Sequence, residues 1–294
     1  MKKVLVIGKN SYIGKSFLAY ISKYHAQDGW KMDVVGARDD AWKSKDFHGY
    51  EVVLLVAAIV HQRETVVGEA AYRHVNYEMA LEVANKAREE KVGQFILLST
   101  MAVYGNYAEQ ITMDTKEKPN TYYGTYKRMA EKGLMRLQND EFQVAIVRPP
   151  MVYGRYSKGN FAKLVKLARI CPIFPKMSNK RSAIYIDNLC EYLYLVIKKK
   201  CRGVGCPYNM QHMDTSELYR KVREEMGKHT ISTDFFNPIL RFFLIKGNLL
   251  DKLFGDCYYD IGKAKEGWID IDPPQYQVVT YEESIGKSLW KSIR

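Results

Sequence analysis

The sequence predicts an α/β protein built on a doubly wound parallel sheet with a smaller C-terminal lobe. Three observations predict it. The chain opens on a short apolar run, Lys3 to Ile7, followed by a glycine loop and an amphipathic segment, Lys15 to Tyr24. Further strand-like runs at Lys31 to Val35, Val52 to Val56, Gln94 to Leu98 and Val144 to Val147 alternate with helical stretches, the pattern of parallel strands joined by crossover helices. The run from Val52 to Val56 is apolar throughout, as a strand covered on both faces must be.

The first unit carries Gly8-Lys9-Asn10-Ser11-Tyr12-Ile13-Gly14 between strand and helix. Glycine at such a turn lets the backbone approach a pyrophosphate, and the helix N-terminus offers it unpaired N–H groups. Ser11 stands where most dinucleotide loops place another glycine. The second strand leads into Gly36-Ala37-Arg38-Asp39-Asp40, and no acid lies between Val34 and Ala37 to bind ribose hydroxyls. Arg38, with Lys9, therefore suggests a 2′-phosphate and NADP(H), with NAD(H) as the alternative. Arg38 reads equally as a surface residue paired with Asp39 or Asp40.

The third strand ends in Ala57-Ala58, small enough for a cofactor to lie against. His61 follows in a loop and reads as structural. A long helix from Glu69 to Lys91 precedes the strand that delivers Ser99-Thr100. Downstream, Tyr123-Gly124-Thr125-Tyr126-Lys127 places a phenol and an ammonium four residues apart, on one helix face. A neighbouring cation is expected to lower the phenol below its usual pKa of about 10, suiting it to proton exchange near neutral pH. Tyr-x-x-x-Lys recurs by chance, and its place after a glycine loop and a strand ending in Ser-Thr singles this one out.

After Val147 come Arg148-Pro149-Pro150, and from Met151 the pattern loosens into Gly159-Asn160-Phe161 and a basic amphipathic helix, Ala162 to Arg169. The strand Ala183 to Ile186 and the helix Leu189 to Lys198 are expected to return to the main sheet. Residues 1–150, with 183–200, then form a dinucleotide-binding part. Residues 151–182 and 201–294 form the second lobe. Within it, Pro238 to Phe254 is apolar with interspersed cations, expected to pack on the body or on a second subunit, with rest on a membrane surface as the alternative.

Composition narrows the class. Of 294 residues, 47% are hydrophobic and 27% charged, as in soluble globular proteins. No apolar run is long enough to span a bilayer, and Val4 to Ile7 is too short for a signal-peptide core, so stable membrane insertion is not expected and a cytoplasmic location is. Five cysteines without a Cys-x-x-Cys pair indicate neither a disulfide framework nor a metal site. The net charge of +12 is dispersed, without a nucleic-acid motif, and reads as a lysine-rich surface.

Taken together, Gly8 to Gly14, Ala57-Ala58, Ser99-Thr100-Met101-Ala102-Val103-Tyr104-Gly105, Tyr123 to Lys127 and Arg148-Pro149 resemble the extended short-chain dehydrogenase/reductase family of nucleotide-sugar epimerases, dehydratases and reductases. The resemblance spans nearly the whole chain and implies a Rossmann sheet. It implies Tyr123 as acid/base, Lys127 orienting the nicotinamide ribose, and Thr100 bonding the reacting oxygen. Gly8, Asn10, Ser11, Tyr12, Ile13, Gly14, Ala57, Ala58, Ser99 and Pro149 would line the cofactor, and Asn160 and Arg181 the diphosphate of a UDP-sugar. The family's 4,6-dehydratases carry Asp-Glu after the threonine. This chain has Met101-Ala102, which leaves hydride transfer at one carbon. Several stretches look most like bacterial capsular-polysaccharide reductases of UDP-2-acetamido-2,6-dideoxy-4-hexulose. A UDP-sugar 4-epimerase with tightly held NAD and a non-catalytic nucleotide sensor are the alternatives, and a homodimer is compatible with each.

Overall fold

The computed structural model describes residues 2–37, 40–60, 64–105, 108–235, 237–242 and 251–289. Arg38, His61 and part of the Pro238 to Phe254 segment lie outside them. The strands are β1 (Lys3–Ile7), β2 (Lys31–Val35), β3 (Val52–Leu55), β4 (Gln94–Leu98), β5 (Gln110–Ile111) and β6 (Gln143–Val147). They continue as β7 (Met151–Tyr153), β8 (Ile173–Pro175), β9 (Ala183–Tyr185), β10 (Gly203–Gly205), β11 (Ile231–Thr233) and β12 (Tyr258–Tyr259).

Six of them form one parallel sheet in the order β10-β6-β4-β3-β1-β2. Successive side chains of a strand point to opposite faces, and both faces are apolar here. Val4, Val6, Val52, Leu54 and Ile96 enter one core cluster, while Leu5, Ile7, Val53, Leu55 and Phe95 enter the other. The chain leaves β1 toward β2 on one side and returns to β3 on the other, so the loops after β1 and β3 flank the crevice where ligands of doubly wound sheets bind. Register aligns Ile7 with Leu55, Leu55 with Leu97 and Leu98 with Val147. Gly8, Ala57, Ser99 and Pro149 consequently all follow strand ends at one edge of the sheet.

Two expectations need correction. The strand at Ala183 does not return to the main sheet: β9 pairs with β7 in a separate two-stranded ribbon, and the sixth main strand is β10, from the stretch assigned to the second lobe. Both short strands are apolar, so periodicity cannot say which joins which sheet. The helix that follows β9, Ile186–Lys198, does pack on the main body, against the helix Tyr12–Tyr24. The helix expected from Glu69 to Lys91 is also interrupted, by a π-helical turn at His74–Glu78 between Glu69–Arg73 and Met79–Glu89.

Candidate active site

The glycine loop is shaped by close packing on β3. Gly8 has φ 132°, and a Cβ there would lie 2.9 Å from Val56 Cγ2 and 3.1 Å from the Ala57 nitrogen. At Gly14 it would lie 3.0 Å from Val56 Cγ2. Ser11, the departure from an all-glycine loop, caps the helix: its Oγ accepts from the Gly14 N–H at 3.3 Å. That helix begins at Tyr12, not Lys15, so the amides of Tyr12 and Ile13 fall in its first turn, outside the intrahelical ladder. No acidic side chain occupies that turn, and Asn10 is exposed at the loop tip. A backbone cradle free of side-chain bulk and negative charge fits a dinucleotide pyrophosphate.

Across the crevice, Ala57 and Ala58 are half-buried. Their loop is held by Asn76, a residue the sequence did not single out. Its Oδ1 accepts from the Ile59 N–H at 3.0 Å and its Nδ2 donates to the Ile59 carbonyl at 3.2 Å. Asn76 is buried inside the π turn, where the wider backbone aims its amide at the loop. An asparagine within a helical run was the one available signal.

β4 delivers Ser99 and Thr100 to different surroundings. Ser99, expected at the cofactor, turns its hydroxyl inward to Glu131 Oε1 at 2.5 Å. Thr100 starts a tight turn over Met101–Tyr104, its Oγ1 accepting from the Ala102 N–H at 3.1 Å. The helix Tyr122–Met135, capped by Thr121, leans on that turn. Gly124 permits it: a Cβ there would meet the Ala102 carbonyl oxygen at 2.5 Å. The approach brings the Tyr123 hydroxyl into a hydrogen bond with Thr100.

The electrostatics differ from the sequence expectation. Tyr123 is not lowered by Lys127. Burial pushes its phenol up to about 12, Tyr72 adds to the rise, and Thr100 offsets part of it. The Lys127 ammonium instead donates to the Leu98 carbonyl at 2.9 Å, and its burial lowers its own pKa to about 8 against the opposing pull of Glu131. Sharing a helix face sets the side chains' direction and not their partners.

Beneath these groups lies a buried ionic cluster. Arg148 donates to Glu131 at 2.7 and 2.9 Å, to Glu117 at 2.8 Å and to the Tyr104 hydroxyl at 2.7 Å. Arg128 bonds the same two glutamates at 2.9 and 3.0 Å. Burial raises Glu117, but Arg148 outweighs it and leaves the carboxyl below its ordinary value. The cluster ties the ends of β4 and β6 to the helix that carries Tyr123 and to the turn that carries Thr100. Pro149 is buried at this junction, its carbonyl accepting from the Met101 N–H at 3.0 Å. Asn160 and Arg181 lie in the second lobe. Asn160 is exposed at the start of the helix Asn160–Ile170, and Arg181 directs Nη1 to the Gly255 carbonyl at 2.7 Å.

A doubly wound sheet with a glycine loop at its switch point defines a dinucleotide-binding α/β protein. Comparison narrows that class: the chain belongs to the NAD dependent epimerase/dehydratase family, whose sequence profile matches residues 4–210. It is accordingly an enzyme of that nicotinamide-dependent family. It is 29% identical to the UDP-glucose 4-epimerase of Vibrio cholerae over 93% of this chain and 92% of that one. It is 23% identical to the N-acetyl-alpha-D-glucosaminyl-diphospho-ditrans,octacis-undecaprenol 4-epimerase of Escherichia coli O157:H7, over 87% and 82% of the two chains. Among solved structures, RMD from Pseudomonas aeruginosa complexed with NADPH shares the fold with a TM-score of 0.73 over 98% of both chains, at 16% identity.

Proposed function

We propose that this enzyme reduces the 4-ketone of a UDP-2-acetamido-2,6-dideoxy-hexulose with NADPH, in the supply of sugars for a surface polysaccharide. Residues 1–150 with the helix Ile186–Lys198 and β10 hold the dinucleotide, and the remainder holds the nucleotide sugar through Asn160 and Arg181. A nicotinamide held there would supply the hydride that reduces carbon 4. Tyr123 gives its proton to the emerging alkoxide, Thr100 bonds the same oxygen, and Lys127, released from the Leu98 carbonyl, steadies the ribose and the developing charge.

The observation that carries this reading is the absence of a free carboxylate beside Thr100 among the described residues. Met101 and Ala102 follow it, and the nearby Glu131 and Glu117 are locked by Arg148 and Arg128. Elimination of water needs an acid and a base beyond the tyrosine, whereas reduction at one carbon needs one proton donor. For the cofactor, Asp33 is the nearest acid on β2, and it already accepts from the Tyr50 hydroxyl at 2.5 Å. It lies within β2, short of the strand end from which a ribose would be reached, and this supports NADPH with Arg38 as the phosphate partner.

The second reading, a 4-epimerase retaining NAD, is favoured by the activity named for the Vibrio cholerae and Escherichia coli relatives. One preparation tests the two. Addition of UDP-4-keto-6-deoxy-N-acetylhexosamine should consume NADPH stoichiometrically, and UDP-glucose and UDP-galactose should not interconvert. Interconversion without net cofactor consumption would replace the reductase with the epimerase.

A further inference from the structure

The second lobe exposes apolar side chains in an unusual electrostatic setting. From Phe142 to Ile186 the sequence contains lysines and arginines and no aspartate or glutamate. Within that stretch the helix Asn160–Ile170 buries Phe161, Leu164, Val165 and Ala168 and turns its other face outward. The outward face holds Leu167, 43% exposed, and Ile170, 81% exposed, flanked by the exposed cations Lys163, Lys166 and Arg169. The apolar surface continues past the helix. Ile173 on β8 is 46% exposed, and Ile231, its direct partner on β11, is 59% exposed.

These side chains are held together by the fold. The Ile231 N–H donates to the Pro172 carbonyl at 2.8 Å, and Lys228 donates to the Arg169 carbonyl at 2.6 Å. The turn before β11 is thereby fastened to the helix end and adds another cation to its rim. On β8 the next residue, Phe174, turns inward to stack on Tyr219, so the ribbon presents its isoleucines outward while its other face is anchored in the core.

We infer that this face, the outer side of the helix Asn160–Ile170 with Ile173 and Ile231, docks the enzyme on an anionic lipid bilayer surface. Isoleucine and leucine side chains beside Lys163, Lys166, Arg169 and Lys228 match the two properties of such a surface, negative headgroups above an apolar layer, with Asp234 past the end of β11 as the acid on that ribbon. A nucleic acid duplex would be held through its phosphates by the cations alone and would leave the exposed leucine and isoleucines without a partner. The contact is peripheral, since no helix among the described residues is long and apolar enough to cross a membrane. It is independent of which sugar the active site takes.

The full-length protein is tested by flotation with vesicles of phosphatidylcholine alone and of phosphatidylcholine with phosphatidylglycerol in equal parts, at low salt. Wild type should float with the anionic vesicles and not with the neutral ones. The double variant Ile170→Ser with Ile231→Ser keeps every charge and should lower partitioning about tenfold. Lys166→Glu with Arg169→Glu should do the same, and both variants should retain wild-type thermal unfolding and NADPH binding. Failure of wild type to bind anionic vesicles would overturn the inference. So would unchanged binding of the isoleucine variant, which would assign the attraction to the diffuse charge of +12. A solution dimer dissolved by the isoleucine substitutions, with no vesicle binding, would give this face to a second copy of the chain instead.

Discussion

Replacing Gly124 with alanine sets local propensity against tertiary fit. Alanine is favoured over glycine in a helix by about 1 kcal/mol, so an isolated helix would gain from the change. In the folded chain the new methyl would lie 2.5 Å from the Ala102 carbonyl oxygen and 3.1 Å from Pro119 Cβ. Carbon-to-oxygen contacts normally begin near 3.3 Å, so the helix and the Thr100 turn must separate by roughly 0.8 Å. Overpacking of this kind costs about 1–3 kcal/mol, which cancels or exceeds the propensity gain. The same displacement pulls Tyr123 and Lys127 away from Thr100, and a shift near 1 Å can cost on the order of 100-fold in rate. Gly124→Ala should therefore lower kcat about 100-fold, with nucleotide affinity little changed and thermal stability unchanged or a few degrees lower. Steady-state kinetics, nucleotide titration and thermal unfolding on one preparation measure all three. A variant with wild-type kcat and a raised melting temperature would refute the argument that this glycine sets the helix against the turn.

Tyr123→Phe removes only the hydroxyl and should reduce turnover by orders of magnitude while leaving nucleotide binding nearly unchanged; wild-type-like turnover would exclude the phenol as proton donor. Arg38→Ala should weaken NADPH far more than NADH, and equal losses for both would mean the 2′-phosphate is held elsewhere. The lysine supplies a pH test. Its pKa is depressed from 10.5 to about 8 in the folded state, so the penalty for burying its charge is fully present below pH 8 and fades as pH rises toward 10.5. Relative to Lys127→Met, wild type should gain about 2 kcal/mol of stability between pH 7.5 and pH 9.5, read from denaturant unfolding at both values. A difference independent of pH would place the ammonium in contact with solvent.

The order of elements was set down in the chain itself. A glycine loop between an apolar strand and an amphipathic helix admits few structures, and β1, β2 and β4 fall on the residues that their apolar runs marked out. Thr100 follows the end of β4, as that apolar run marked out, and Tyr123 and Lys127 lie on one helix, as their spacing required. Where short strands pair was not legible: β9 and β10 are brief and carry no polar alternation, and only the tertiary structure assigns one to the ribbon and the other to the main sheet. Partners of buried polar groups were hidden as well. Ser99 reaches Glu131, Lys127 reaches the Leu98 carbonyl, and Asn76 reaches the loop at Ile59 across sequence separations that periodicity does not encode. The direction of the Tyr123 shift followed from this difference. Local spacing placed a cation on its helix face, but burial, a property of the assembled chain alone, set the direction of the shift upward.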